Sequence, residues 1–259
     1  MNELATGLAG FTGPATAVAV AWAGVVAHGT FSPAATLWGP VVSRSRERAR
    51  PHVALTFDDG PTPGSTERVL DSLGAAGVRA AFFVVGRNAE RWPRLVERMH
   101  AEGHVVGNHT WDHSHYGIFR RDEYWRRQVE RTDRLIEQLI GHRPALFRPP
   151  MGLKTWHVTN AARWAGHAVV TWNRRAMDGY ATSAEQIVGR LLPPSRAGDI
   201  VLLHDGLEPN ARRRDTRATE AAVTPLVEGL RKKGLEPRRL DEMLGIRAYH
   251  RVGTDGVGN

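Results

Sequence analysis

Cysteine is absent from the 259 residues of this chain. Its absence excludes disulfide bonds, thiolate nucleophiles and zinc sites that use cysteine ligands. Any strong metal site must therefore be built from histidine, aspartate and glutamate. The lack of cysteine does not by itself fix the cellular compartment.

Lysine is almost as scarce, because it stands only at positions 154, 232 and 233, although the formal net charge is +8 and the isoelectric point is about 10.6. The positive charge comes from arginines that are scattered along the chain. Nucleic-acid-binding proteins usually concentrate their basic residues in one stripe or block. The sequence therefore predicts no nucleic-acid partner.

Charge of either sign is missing between Leu4 and Ser43. The most apolar stretch, residues 15–27, is shorter than the ~20 residues that a membrane-spanning helix needs. A secretory signal would begin with basic residues, whereas this N-terminus carries only Glu3. Three interpretations stay open: association with a membrane through residues 11–30, a helix packed on the domain, and a cleaved signal.

Four arginines follow this segment, at positions 44, 46, 48 and 50. If the segment did span a membrane, the positive-inside rule would leave this flank on the cytoplasmic side. We expect a membrane-associated or extracytoplasmic protein of the cell envelope, with a cytoplasmic location as the alternative.

From residue 51 onward, β-rich runs alternate with helical patterns. Strands are predicted at 52–57, 79–86, 104–109, 145–148, 167–172 and 199–204. Helices are predicted at 65–77, 89–103, 122–141, 155–165, 182–192 and 217–233. Such alternation is typical of parallel βαβ units, and six or seven units in ~200 residues fit a closed or nearly closed barrel better than an open sheet.

The expected fold is therefore α/β, a distorted (β/α) barrel of about seven parallel strands with its active site at the C-terminal ends of the strands. We divide the chain into an apolar N-terminal segment (1–50), a catalytic domain (51–245) and a tail (246–259) whose last residues are expected to fray.

Polar residues follow the predicted strands at their C-terminal ends. In chain order they are Asp58-Asp59, His109 to His113, Arg148 to Gly152, Asp178, and His204-Asp205. A lone histidine or an Asp-Gly turn at a strand end is more often structural than functional. In a barrel, however, the loops after the strands converge on one face. Polar residues at five strand ends that share this face predict an active site.

His109 and His113 indicate a metal site. Their i, i+4 spacing lets two imidazoles reach one ion if the turn between them is helical or tightly wound. One added carboxylate gives three protein ligands and an open position, which is typical of catalytic zinc. Asp58 and Asp59 disfavour each other's ionisation unless a cation lies beside them. We expect one divalent ion, zinc by preference, with cobalt, nickel or manganese also suited to this ligand set.

Five segments in this order, TFDDGP, HTWDH, RPPMG, WNRRAMDG and VLLHDG, resemble the five motifs of the polysaccharide deacetylase family, which includes the chitooligosaccharide deacetylases. The resemblance covers residues 51–245. It implies a metal-dependent hydrolase that removes acetyl groups from glycans containing N-acetylglucosamine, such as chitin oligomers or peptidoglycan-like polymers.

The resemblance also implies a role for individual residues. Asp58 would be the general base, oriented by Arg148. The metal ligands would be Asp59, His109 and His113. His204 would be the general acid and Asp178 its brace. Met151 would donate a backbone N–H to the oxyanion, and Leu202 would line the acetyl pocket. Pro150 and Trp172 are expected to contact the substrate as well.

Three positions depart from the family's motifs. Met151 stands where an aromatic residue is usual, and Arg175 and Gly179 replace the first aspartate and the tryptophan of the fourth motif. These changes keep the residues expected to carry the reaction, but they leave the identity of the substrate open. Because two of them lie close to Asp178, Asp205 stays open as an alternative partner of His204.

Two other functions compete with glycan N-deacetylation. One is hydrolysis of another amide or of an acetyl ester, on an O-acetylated polysaccharide or a small N-acyl metabolite. The other is a glycan-binding protein without catalysis. A binding protein needs neither a general base nor a general acid, so the presence of both Asp58 and His204 favours an enzyme.

Overall fold

In the computed structural model of the chain, residues 13–179, 182–209 and 216–251 are described. Within these ranges the strands are β1 His52–Asp58, β2 Ala81–Val84, β3 Val105–Asn108, β4 Leu146–Phe147, β5 Ala168–Val169, β6 Arg174–Arg175, β7 Ile200–His204 and β8 Glu236–Pro237. The helices are α1 Pro14–Phe31, α2 Ser65–Ala75, α3 Gly86–Arg91, α4 Pro93–Ala101, α5 Asp122–Ile140, α6 Trp156–Trp164, α7 Ala184–Leu191, α8 Arg217–Lys232 and α9 Leu240–Leu244.

The strands form one parallel sheet in the order β5-β4-β3-β2-β1-β7-β6, with β8 paired to the start of β1. The sheet curls into a half-barrel flanked by helices. The predicted distorted barrel of about seven parallel strands is confirmed. All the C-terminal strand ends lie at one edge, so the loops that carry the predicted site residues leave the sheet on the same side.

The opening between the two outer strands is crossed by the N-terminal segment. Val42 exchanges backbone hydrogen bonds with Val169 and Thr171 on the β5 side. Ser45 donates its backbone N–H to the backbone oxygen of Gly198, two residues before β7. Residues 42–45 therefore belong to the folded domain, although the sequence places them before its boundary at residue 51.

Side chains of β1 alternate between two sides of the sheet, as the pleat requires. Val53, Leu55 and Phe57 pack into the core shared with the surrounding helices. Ala54 faces the inside of the curl, where Phe83, Leu202 and other strand residues meet Met243 and Ala248. Both sides of β1 are buried, which explains its nearly continuous apolar sequence.

One predicted helix proves to be two. The pattern over 89–103 is divided at Trp92, which lies between α3 and α4 with φ −131° and ψ 58°. A residue that precedes proline avoids the helical conformation because the ring of the proline crowds its backbone. Pro93 then begins α4 at a position where its missing N–H is not needed.

The tail also contributes to the fold up to residue 250. Ala248 accepts a backbone hydrogen bond from Ala145, and His250 donates one to Arg143. Residues 246–250, which the sequence assigns to the tail, thus pair with the segment before β4. The expected fraying of residues 253–259 lies outside the described residues.

The N-terminal helix α1 has an unusual position. Its apolar side chains are exposed from residue 16 to residue 28, with Val20 and Trp22 each about two-thirds accessible. Packing on the domain, one of the three interpretations of this segment, is therefore confined to the last turn, where Gly29 and Thr30 are buried. In the described part of the chain, no helix combines the length and the apolar character that crossing a membrane requires.

Candidate active site

The adjacent carboxylates Asp58 and Asp59 both point into the site. Consecutive strand residues normally face opposite sides, so two neighbours can share a site only if the backbone departs from the strand. Asp59 does so, because it adopts the left-handed conformation with φ 72°, which aspartate tolerates better than most residues. As a result, Nε2 of His109 lies 3.7 Å from one Asp58 oxygen and 3.5 Å from one Asp59 oxygen.

Close contact between two loops shapes this corner. A Cβ atom on Gly60 would fall 2.1 Å from the Asp205 carboxylate, and one on Gly206 would fall 2.5 Å from the Gly60 backbone. Only glycine lets the loops after β1 and β7 approach so closely. The Asp-Gly sequences at the ends of these strands are therefore required by packing as well as by chemistry.

The loop from His109 to His113 is not helical, but it is tightly wound, with Thr110 and His113 in the left-handed region. Asn108 accepts a hydrogen bond from the Thr110 backbone N–H through its side chain, and Gln128 accepts two, from Trp111 and Asp112. These buried side chains replace the hydrogen bonds that a helix would supply. The loop brings both imidazoles to Asp59.

The two imidazoles are oriented by different acceptors. Nδ1 of His109 is 2.7 Å from the backbone oxygen of Arg148, and Nδ1 of His113 is 2.7 Å from a carboxylate oxygen of Glu208. With the Nδ1 proton donated to each acceptor, both Nε2 atoms keep a lone pair, as metal ligation requires.

The ligand atoms of Asp59, His109 and His113 all lie within 4.8 Å of one another. One Asp59 oxygen is 3.5 Å from His109 Nε2 and 3.3 Å from His113 Nε2. Atoms bound to tetrahedral zinc at about 2.0–2.1 Å are separated by about 3.3–3.4 Å, so these separations match two edges of such a site. Donor chemistry and spacing both fit a divalent ion of the zinc type.

The charges of the group also favour a cation. Burial raises the pKa of Asp59, but the neighbouring histidines His113, His109 and His204 outweigh it and hold the pKa well below its usual range. Burial lowers the pKa of His109, yet Asp58 and Asp59 raise it overall. Asp59 is thus an anion that favours a positive charge, a proton or a metal ion, on the imidazoles beside it.

Arg148 is completely buried behind Asp58. Its Nη1 donates to one Asp58 oxygen at 2.6 Å and to Thr56 Oγ1 at 2.9 Å, and its other nitrogens donate to the backbone oxygens of Val170 and Thr171. The guanidinium also lies 4.0 Å from the ring centre of Phe83. These contacts fix the arginine, and through it the orientation of the Asp58 carboxylate.

His204 ends β7 on the other side of β1, with its Cα in register with that of Asp58. Its Nδ1 is 2.9 Å from Asp178, and the second Asp178 oxygen accepts from the His204 backbone N–H at 2.8 Å and from Thr219 at 2.9 Å. Burial lowers the pKa of His204, but Asp178, with smaller contributions from Asp59 and Asp58, raises it to about 9. His204 is therefore protonated at neutral pH.

Asp205, the alternative partner of His204, faces elsewhere. Its carboxylate accepts a hydrogen bond from Thr66 at 2.6 Å and packs against Gly60. Burial raises the pKa of Asp205 to about 7. The structure brings Asp178, and not Asp205, to the His204 ring, although Arg175 and Gly179 depart from the expected motif around it.

The predicted substrate-binding residues lie close to this centre with different accessibility. Pro150 is buried at the start of a short turn in which Met151, with φ 54°, is 41 % exposed. Leu202 and Trp172 are buried inside the curl of the sheet. A Cβ on Gly152 would come within 2.7 Å of the Trp172 ring, so this ring packs closely against the turn that contains Met151.

Sequence reasoning missed several residues that hold the site together. Asn88 donates to the backbone oxygens of both Asp59 and Leu207, each at 2.8 Å. Thr219 on α8 supports Asp178, and Glu208 contacts His113. None of these three side chains belongs to a local pattern. Each comes from a different part of the chain, so no spacing in the sequence reveals it.

The sequence of this chain is similar to those of known deacetylases. The sequence profile of the polysaccharide deacetylase family matches residues 45–170. A peptidoglycan-N-acetylglucosamine deacetylase of Bacillus cereus is 39% identical over 155 residues, which cover 59% of this chain and only 55% of that protein. A chitooligosaccharide deacetylase of Bradyrhizobium sp. is 36% identical over 197 residues, which cover 74% of this chain and 90% of that protein.

A similar solved structure is that of a peptidoglycan N-acetylglucosamine deacetylase in complex with a naphthalenyl N-oxidanyl-benzamide. It has a TM-score of 0.74 and 29% sequence identity, and the match covers 81% of this chain and 95% of that one. The sequence matches and the structural match thus extend over most of the half-barrel.

Proposed function

Because the chain belongs to the polysaccharide deacetylase family, we propose that it removes acetyl groups from the N-acetylglucosamine units of a peptidoglycan-like or chitin-like glycan. It is a hydrolase that acts on carbon–nitrogen bonds. The observation that carries the proposal is the convergence of Asp58, His204 and the Asp59–His109–His113 group at one edge of the sheet.

Asp58 is suited to act as the general base. One of its oxygens is bound by Arg148 at 2.6 Å, and the other is directed toward His109. The free oxygen can take a proton from the water that attacks the acetyl carbon. A divalent ion held by Asp59, His109 and His113 would supply polarisation of the acetyl carbonyl and a lowered pKa of the attacking water.

His204 is suited to act as the general acid. Asp178 holds its Nδ1, so the proton on Nε2 is available for the leaving nitrogen. Transfer of that proton lets the C–N bond break with its electron pair on nitrogen. The products are a free amine on the sugar and acetate. We assign Leu202 to the acetyl pocket and the Met151 backbone N–H to the developing oxyanion.

The purified full-length chain tests this function on N-acetylated chitin oligomers, peptidoglycan and an O-acetylated polysaccharide. Acetate and free amine should appear together, stop after treatment with a chelator, and return when zinc is added. His109→Ala should abolish zinc binding and activity, whereas His142→Ala, which changes an exposed histidine whose ring contacts those of His100 and Tyr249, should keep both. Acetate release from the ester alone would favour the second hydrolase function.

We also propose that α1 contacts a lipid surface, which would place the protein at the cell envelope. Valines and Trp22 leave large apolar areas exposed on this helix, and water solvates such areas unfavourably. The protein should float with lipid vesicles, and Trp22→Asp with Val25→Asp should abolish flotation without lowering deacetylation of a soluble oligomer. Flotation that is unchanged in this double variant would contradict the contact.

A further inference from the structure

Glu208 lies on the loop after β7, outside all five motifs, and its carboxylate is largely buried. One of its oxygens is 2.7 Å from Nδ1 of His113, and the same oxygen contacts Nε2 of His115. This buried carboxylate therefore lies beside Nδ1 of His113, the ring nitrogen that is not proposed to bind the metal.

The loop that carries Glu208 is itself fixed. Asn88 donates to the backbone oxygen of Leu207 and to that of Asp59. The backbone N–H of Leu207 donates to Thr62 Oγ1 at 3.0 Å. The loop after β7 is thereby fastened to the loop after β1, so the distance from Glu208 to the Asp59 side of the site is set by the fold.

We propose that Glu208 is a positioning residue for the metal site, which holds the His113 ring with its Nε2 directed at the ion. The inference rests on the proposed function only in taking Asp59, His109 and His113 as the ligands. A carboxylate bonded to the far nitrogen of a ligating histidine fixes its tautomer and raises its basicity, and loss of such a partner typically costs about 10–100-fold in metal affinity.

His109 offers an internal comparison. Its Nδ1 is bonded to the backbone oxygen of Arg148, which no side-chain substitution removes. The two histidine ligands are therefore supported by different means, one by the main chain of the loop after β4 and one by a side chain. Only the orientation of His113 should depend on residue 208.

The test measures zinc affinity of the full-length protein by competition with a chromophoric chelator, and does not use turnover. Glu208→Ala should weaken zinc binding about 10–100-fold. Glu208→Gln keeps an acceptor oxygen of the same reach and should recover most of that loss. His115→Ala removes the exposed partner of Glu208 and keeps the His113 contact, so its zinc affinity should stay within about threefold of the parent.

The visible spectrum of the cobalt-substituted protein gives a second readout, because it reports the ligand geometry directly. Glu208→Ala should change the band positions or intensities, whereas His115→Ala should leave them as in the parent. Parent affinity in the folded Glu208→Ala variant would overturn the inference, as would equal losses in the Ala and Gln variants, since a loss of charge alone would explain them. If the parent itself bound no zinc, the proposed function would fail instead.

Discussion

At the scale of single residues, Asp58 and Asp59 occupy the same site but different environments. Asp58 continues the inward side of β1 and is bound by Arg148, whereas Asp59 turns out of the strand in the left-handed conformation and faces two imidazoles. The backbone conformation of one residue thus separates a carboxylate paired with an arginine from one placed to hold a cation.

Substitution of each aspartate separates these roles. Asp58→Asn should keep zinc and lose turnover about 10²–10⁴-fold, because it removes the base and no ligand. Asp59→Asn should lower zinc affinity itself. Zinc content and acetate release are measured on the same samples. Asp71→Asn serves as the control, since that carboxylate is exposed and pairs with Arg98 instead of the site. Equal loss of zinc in both site variants would contradict the division of roles.

The pH dependence of activity follows from the His204–Asp178 pair. The acid must be protonated, and the pKa of His204 is raised from 6.5 to about 9, so activity should fall as the pH rises through about 9. The raised pKa of His204 contributes stability that is complete below pH 6.5 and is lost as the pH rises through about 9. The lowered pKa of Asp178 contributes stability that is lost in acid, as the pH falls through that pKa. Without Asp178, burial would still lower the pKa of His204 and only the smaller contributions of Asp59 and Asp58 would oppose it, so the pKa should fall.

Asp178→Asn should therefore move the basic limb of the rate profile to lower pH, with the zinc content unchanged. Asp205→Asn is the matched variant, because that carboxylate is buried nearby and bonds Thr66 rather than His204. Rate profiles of the two variants are recorded side by side. A basic limb that moves only in the Asp205 variant would show that Asp178 is not the partner of the acid.

At the scale of elements, the last turn of α1 is fastened to the loop that carries Met151. The Lys154 backbone N–H donates to Thr30, and its buried ammonium donates to the backbone oxygens of Ser32, Pro33 and Gly152. Burial lowers the pKa of this ammonium to about 8. The exposed helix and the predicted oxyanion loop therefore share one polar anchor.

Replacement of that anchor should loosen both elements. Lys154→Met removes the hydrogen bonds to the carbonyl groups of Ser32, Pro33 and Gly152. The first two keep a second donor and the Gly152 carbonyl loses the donor described for it, so a loss of about 1–3 kcal/mol in the free energy of unfolding is expected. Proteolysis near residues 28–35 should accelerate. Lys232→Met is the control, because Lys232 is exposed at the end of α8. If both variants unfold at the same denaturant concentration, the anchor contributes nothing measurable.

At the scale of the whole molecule, the curled sheet does not close on itself. The edge strands β5 and β6, and β4 next to β5, have two residues each, which is too short for a continuous ladder of backbone hydrogen bonds. Residues 42–45 cross the opening through hydrogen bonds to Val169, Thr171 and Gly198. The half-barrel is thus completed by chain that precedes the first strand.

Two truncations test this closure. A chain that begins at residue 28 loses the exposed part of α1 together with the residues before it, and it should unfold within about 2 °C of the parent. A chain that begins at residue 46 loses the crossing segment and should unfold several degrees lower, because each 1 kcal/mol corresponds to about 2–4 °C in a protein of this size. Thermal unfolding of both is followed by circular dichroism. Equal midpoints would show that residues 28–45 do not support the barrel.

Local features of the sequence were enough to predict the alternation of strands and helices, the distorted barrel of about seven parallel strands and the five polar strand ends. The strand pattern reflects burial on both sides of β1, and the site residues follow strands whose ends meet at one edge. Family membership followed from the same five segments. Residue type and short-range spacing are enough to indicate these properties.

Contacts between distant segments were decided only by the tertiary structure. Glu208 lies 95 residues from His113, and Asp178, rather than the adjacent Asp205, is the residue that reaches His204. No sequence pattern predicted that residues 42–45 cross the opening of the barrel, or that Asp59 adopts the left-handed conformation. The physical reason is that hydrogen bonds and close packing depend on separation in space, which the chain fixes only when all its elements have assembled.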